Sequence, residues 1–201
     1  MELTIIDVRL DSLADIMFDR FIDHSKEKRP AEQKLYLFKG NKVVLPAENI
    51  VAFLFGEHPP GCAKAFEARR GKEYIRMGLS HVFIDPVIIP FLCNDKQIVF
   101  KKFNGEYTYI HQGSGRTIQG SRSIKQEIKD RPVLCHPWSL EFKISLVKNA
   151  LIDETKLYNW FVSGGILISL GTYRPRFGRF EVAGWEPSVV KEKRGTTTKK
   201  K

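Results

Sequence analysis

The sequence predicts an α+β protein: a ferredoxin-like βαββαβ sheet with a long basic insertion between its two central strands. Three observations carry that expectation. Apart from the middle of the chain, the predicted elements run strand, helix, strand, strand, helix, strand. Residues 138–185 form a compact strand–helix–strand unit with a short link before the last strand. Between them, residues 91–137 read as the insertion, and within it residues 113–131, where Gly, Ser, Thr and Arg alternate, break the pattern of the rest. With 201 residues, 42% of them hydrophobic, the chain can bury a core as one domain over residues 1–188.

Element by element, residues 2–10 (ELTIIDVRL) are β-branched and nearly alternating, which predicts the opening strand. Residues 11–21 are ambiguous, with Leu13, Ile16, Met17 and Phe21 placed to line a short helix. Residues 24–33 are charged and contain Pro30, which predicts a loop. Residues 34–38 and 42–45 form a small hairpin turning at Gly40-Asn41. Pro46 then opens a helix, with Ala47, Ile50, Val51 and Leu54 at helical spacing and an end near Gly56. A second helical piece is expected from Cys62 to Arg70, closed by Gly71. Residues 74–89 read as strands interrupted at Asp85-Pro86, and residues 96–103 and 107–111 as a hairpin around Asn104-Gly105.

From residue 113 to 131 the pattern breaks, and little there is suited to a core. Residues 138–147 resume as an alternating strand, with Leu140, Phe142, Ile144 and Leu146 on one face. Asp153 caps a helix over residues 154–170, with Leu157, Trp160, Phe161 and Ile168 inward and Gly164-Gly165 allowing close packing on the sheet. Residues 171–178 are a loop, and residues 179–185 the closing strand.

Charge narrows the choice of partner. Lys and Arg number 33 against 23 Asp and Glu, a net charge of +10, which favours a polyanion such as nucleic acid or an anionic membrane surface. The surplus is local. Residues 189–201 contribute +5, residues 114–131 +3 and residues 174–179 +3, while the other 164 sum to −1. The terminal stretch, with a Thr run and few apolar groups, is expected to be a disordered basic tail. A nucleic-acid arm, a solubilising tail and a non-native remnant all fit it. Cys62, Cys93 and Cys135 are odd in number and form no CxxC pair, which argues against zinc and a disulfide framework. The N-terminus lacks a signal-peptide pattern and residues 166–170 are too short to span a bilayer, so a soluble, cytoplasmic protein without membrane partners is expected.

The sharpest local signal is residues 171–180, GTYRPRFGRF. Arg174, Arg176 and Arg179 have no acid among them, Tyr173, Phe177 and Phe180 interleave, and Gly171 and Gly178 bracket the turn. Guanidinium groups grip phosphates, aromatic rings stack on unpaired bases, and glycine admits close backbone approach. The competing reading is a helix-to-strand turn with core aromatics and solvated arginines.

This G-x-x-R-x-x-x-G-R-F-x-V run, carried by Gly171, Arg174, Gly178, Arg179, Phe180 and Val182, resembles the glycine-rich loop of the RAMP superfamily. Those are the RRM-like proteins of CRISPR effector and processing complexes. Pro46, Ile50 and Leu54 are similar to the opening of the first helix in that superfamily's backbone subunits. Glu48 stands where those proteins carry a small hydroxyl residue, and Val51 or Ala52 where a base follows, so the likeness does not extend to a phosphate contact from this helix. The resemblance implies a subunit that binds single-stranded guide RNA on or beside the sheet, stacks on copies of itself, and reaches over its neighbour with the insertion. It makes Gly171, Tyr173, Arg174, Arg176, Phe177, Gly178 and Arg179 the expected RNA contacts, with Arg116, Arg122 and Lys125 from the insertion. It also implies a short or mobile-element relative working in antiviral defence.

Catalysis is the less favoured reading. Among five histidines none forms a diagnostic pair, and His24, in the basic HSKEKR stretch, is the best general-base candidate. Asp11, Asp15, Asp19 and Asp23 recur every four residues, which lines one helix face if residues 11–23 are helical. No nucleotide-binding or hydrolase motif is present and no cofactor is expected. The rivals are a guide-RNA-processing endoribonuclease of the same superfamily and a phage-encoded protein that joins or mimics a CRISPR complex.

Overall fold

A computed structural model describes residues 2–20, 30–119 and 123–191. Strand β1 (Glu2–Ser12) is followed by β2 (Ile16–Met17), a 3-10 turn (Ala31–Lys34), β3 (Leu37–Phe38) and β4 (Lys42–Pro46). Helices α1 (Ala47–Phe55), α2 (Cys62–Phe66) and α3 (Gly71–His81) come next, then β5 (Val82–Asp85), β6 (Ile88–Cys93) and β7 (Lys96–Gln97). Two strands, β8 (Thr108–Gln119) and β9 (Ser123–Leu134), precede β10 (Ser139–Val147), α4 (Glu154–Leu167) and β11 (Phe180–Lys191).

The main sheet is antiparallel. Its path runs β11-β1-β10-β6-β4-β3, and β5 also pairs with β10. One face is covered by α1–α4. Ile6, Val8 and Leu10 of β1 and Leu140, Phe142, Ile144 and Leu146 of β10 are buried there, as the alternation predicts. Phe53 of α1 meets Phe161 of α4 and Phe180 of β11 at ring-centroid distances of 5.4 Å each. Burying each such ring or aliphatic chain contributes about 1.5–3 kcal/mol. Gly164 and Gly165 permit the close approach: a Cβ on the first would stand 2.6 Å from Cys62 Sγ, and on the second 2.4 Å from the Phe180 carbonyl. Asp153 caps α4 as expected, accepting the Lys156 amide at 2.8 Å.

Several local expectations are corrected. Residues 11–20 form no helix. β1 continues to Ser12, the chain bends, and Ile16, Met17 and Phe18 are buried in extended backbone, so Asp11, Asp15 and Asp19 share no helical face. Gly71 does not close a helix but begins α3, and residues 74–81, expected as strand, belong to it. Tyr74, Ile75 and Gly78 bury its inner side, a helical period hidden by the flanking Val82–Asp85 strand. The hairpin around Asn104-Gly105 does not form: Lys96-Gln97 pairs back on β6, while Thr108 starts a strand that pairs with β9.

Residues 113–131 are not irregular. They lie mostly within β8 and β9, a two-stranded ribbon in continuous register from Thr108↔Leu134 to Gln119↔Ser123, seated on β2. At the other end of the chain, α4 stops at Leu167, and Val189 to Lys191 pair with β1 rather than starting a tail. Residues 192–201 lie outside the described residues, as do His24, Asp23 and Arg122. Among the described residues no helix is long and apolar enough to cross a membrane, and no cluster of His, Cys, Asp and Glu could hold a metal ion.

Candidate nucleic-acid interface

The loop between α4 and β11 is pinned from below and open above. Leu170 N–H donates to the Gly178 carbonyl at 3.0 Å and Ser169 Oγ to the Phe177 carbonyl at 2.7 Å, closing the turn on itself. Three bonds tie it to the segment after β1: Thr172 N–H to the Met17 carbonyl (2.9 Å), Gly178 N–H to the Asp15 carbonyl (2.7 Å) and Leu13 N–H to the Arg179 carbonyl (2.8 Å). Gly171 and Gly178 have φ of +76° and +73°, and a Cβ would stand 2.5 Å from the Met17 carbonyl oxygen or 1.9 Å from that of Leu170. Both bracketing positions therefore need glycine, for conformation and for space.

This base holds Tyr173, Pro175, Arg176 and Arg179 out in solvent, while Phe177 is half-buried and Phe180 fully buried. Of the interleaved aromatics only Tyr173 is well exposed. Arg174 is different from the other arginines. Its guanidinium is half-buried, and among the described residues no carboxylate lies within ion-pair distance of it and its one hydrogen bond is a long 3.5 Å contact to the Ser169 carbonyl. Burial lowers its pKa from the usual arginine range. A cation taken part-way out of water without a counter-charge is costly, and an anion beside it removes that cost.

Arg174 lines a cleft of about 420 Å³ between the loop, the start of α1 and the segment after β2. Phe18, Asp19, Tyr36, Asn49, Thr172 and Tyr173 form much of its wall. Arg20 sits over the Tyr36 ring, 5.4 Å from its centroid, so a second cation lies against one of the cleft's aromatic walls.

The base of the β8–β9 ribbon stands against the same loop. Asp15 accepts from Tyr109 Oη at 2.9 Å and from the His136 amide at 2.8 Å, while its own carbonyl holds Gly178. The His111 ring meets Phe177 edge-on at 5.6 Å. Arg131, paired with His111 in the ribbon register, is buried; its Nε donates to Asp19 at 3.0 Å and its Nη1 has no hydrogen-bond partner among the described residues. Lys34 approaches Asp19 at 3.9 Å and donates to the Asp130 carbonyl at 2.7 Å, with burial lowering its pKa.

The structure thus brings Gly171, Tyr173, Arg174, Arg176, Phe177, Gly178 and Arg179 together as one loop. Arg116 and Lys125 fall on β8 and β9, opposite Gln126 and Thr117, towards the far end of the ribbon rather than at the loop. Sequence reasoning missed Tyr36, Arg20, Phe18 and the anchoring role of Asp15, because they meet the loop only across more than a hundred residues of chain, and it missed that Arg131 is buried against Asp19. Only Arg131 left a signal, as part of the basic insertion. Of the aspartates once grouped by spacing, Asp11 pairs with Arg9 at 3.1 Å, Asp15 anchors the loop, and Asp19 neutralises Arg131.

The fold and site define an α+β protein with an antiparallel sheet, a pinned arginine-bearing loop and a ribbon beside it. No protein-family model matches the chain and no curated protein matches it in sequence. In fold it is similar to a chain in the cryo-EM structure of the Type III-B Cmr-beta bound to cognate target RNA, with a TM-score of 0.52 and 12% sequence identity. The match covers 92% of this chain and 61% of that one, so this chain spans about three fifths of its length. At that identity the likeness is one of fold.

Proposed function

We propose that the protein is an RNA-binding subunit of a CRISPR-type ribonucleoprotein, a RAMP-like relative with a ferredoxin-like (RRM-like) core. The strand order β11-β1-β10-β5, antiparallel throughout, with helices between β1 and β5 and between β10 and β11, is what a βαββαβ chain makes, and it supports that reading. The fold likeness to a chain of an RNA-bound Cmr-beta structure points the same way. The ribbon β8–β9, rising between β5 and β10, takes the part of the basic insertion.

One observation carries the proposal: Arg174 is half-buried beside an aromatic cleft with no carboxylate partner among the described residues. A phosphate of single-stranded RNA accepts from Arg174, with Arg176 and Arg179 holding flanking phosphates. Tyr173 and Tyr36 offer faces on which unpaired bases stack. The protein binds and positions RNA rather than cleaving it; no cofactor enters this reading.

Fluorescence anisotropy with a single-stranded RNA at several salt concentrations tests it. Arg174→Glu combined with Arg176→Glu is expected to weaken binding more than about tenfold and to flatten the salt dependence. Unchanged affinity and slope would refute RNA binding through this loop, and would favour a role confined to protein contacts.

A further inference from the structure

Two stretches of the chain carry lysine without any acid. Residues 34–47 hold Lys34, Lys39 and Lys42, residues 96–103 hold Lys96, Lys101 and Lys102, and neither contains Asp or Glu. In the net charge they are hidden, because acids elsewhere cancel them. The fold joins the two stretches at one edge of the main sheet. β3 pairs with β4 through Leu37↔Val43 and Phe38↔Lys42, and Lys42 bridges to Val99 on its other side. Val43 N–H donates to the Ile98 carbonyl at 2.9 Å and Phe100 N–H to the Asn41 carbonyl at 2.8 Å, which fixes the alignment.

Residues directly opposite one another share a face, so Phe38, Lys42 and Val99 form one row across this edge. All three are exposed, Phe38 to 46% and Val99 to 41%. The Lys39 ammonium lies 5.8 Å from the Phe38 ring centroid, and Lys101 and Lys102 follow in solvent beyond Val99. Among the described residues, Lys39, Lys42, Lys101 and Lys102 have no carboxylate within ion-pair distance.

This edge continues the Arg174 cleft. Val44 N–H donates to the Tyr36 carbonyl at 3.0 Å, so the pairing with β4 reaches back to the cleft wall. Tyr36 and Phe38, two residues apart in extended backbone, leave the strand on the same side with Cα atoms about 7 Å apart. That is close to one nucleotide step of an extended strand. Each ring carries a cation, Arg20 on Tyr36 and Lys39 on Phe38. The open face of the main sheet repels a phosphate backbone: Asp7, Asp11, Asp85, Glu141, Glu181 and Glu186 stand on it, and Asp95 reaches over it to Arg9 at 2.8 Å.

We infer that an RNA strand leaving the Arg174 cleft runs along the β3–β4 edge, with a base stacked on Phe38 and phosphates set against Lys39, Lys42, Lys101 and Lys102. The path rests on the RNA-binding function proposed above and adds a second surface to the loop. Phe38 supplies a stacking platform that accepts any base, and the ammonium groups supply charge without reading sequence.

Fluorescence anisotropy with two single-stranded RNAs, about four and about twelve nucleotides long, tests it. Wild-type protein is expected to bind the longer RNA at least about tenfold more tightly. Phe38→Ala should remove about fivefold or more of that gain with the salt slope kept, because the ring carries no charge. Lys39→Gln with Lys42→Gln should remove a similar share and lower the slope by roughly 1.4, the value of two phosphates on a single strand. Both edge variants should bind the short RNA as wild type does, and Lys72→Gln with Arg76→Gln, on exposed positions of α3, should leave the gain intact. A gain unchanged in the edge variants overturns the proposal, as does an equal loss for both lengths or an equal loss in the α3 variant. Arg174→Glu with Arg176→Glu separates the two readings. Short-RNA binding that survives it refutes the loop, and with it a path from the cleft, whereas edge variants without effect refute the edge alone. The two edge variants are independent, so if one fails to fold the other decides.

Discussion

At Arg174 a guanidinium sits half out of water, and its one hydrogen bond among the described residues is a long contact to the Ser169 carbonyl. Arg174→Lys keeps the charge but loses the planar fork, so RNA affinity should fall several-fold with the salt slope nearly kept. Titration of the variant across salt checks this, and an affinity equal to wild type would mean that charge alone suffices. The glycines beneath are as constrained. Gly178→Ala places a methyl 1.9 Å from the Leu170 carbonyl oxygen at a φ of +73°, so the variant should be destabilised by roughly 3 kcal/mol or more. Urea unfolding measures it; a loss under about 1 kcal/mol would show that the loop relaxes freely.

Elements meet at Asp15, which joins the loop to the ribbon base. The Tyr109 phenol that donates to it has its pKa pushed up to about 12, first by burial and then by that hydrogen bond. In the unfolded chain a tyrosine ionises near pH 10. This contribution to stability is therefore complete below about pH 10 and is lost as pH rises through the folded value of about 12. Wild-type protein should lose stability across that window more steeply than Tyr109→Phe, and parallel unfolding curves would show that the phenol is not coupled to folding. Among the elements, those with a one-sided pattern were legible in sequence. β1 and β10 alternate because one face is buried under helices, and Asp153 announces α4 by its cap. The ribbon β8–β9 was not legible, because its register runs through Gly, Ser and Arg residues that carry no alternating apolar pattern, and cross-strand pairing leaves no period in the chain. α3 was hidden by Gly71 and Gly78, which read as breakers but serve as close contacts, Gly78 lying against the Phe55 ring.

Over the whole molecule, charge is partitioned rather than spread. The cationic loop and cleft lie beside the sheet, and the carboxylates gather on its open face. The proposed stacking of copies would be head to tail, the arrangement that generates open arrays. If copies stack along one RNA, limited nuclease digestion of the complex should give protected fragments that lengthen in equal steps as protein is added. A single protected length, unchanged at excess protein, would count against stacking.

The sequence already held the net surplus of +10 and where it sits along the chain. It also held the arginine-bearing turn between Gly171 and Gly178, because turn chemistry and glycine spacing are local properties. Only the tertiary structure decided which arginine is short of a partner, since burial and counter-charge depend on residues far away in sequence. It alone assembled the cleft, bringing Phe18, Tyr36 and Asn49 against Arg174. And it alone gathered seven scattered carboxylates on one face, because strand register, not sequence spacing, sets which charges stand opposite one another.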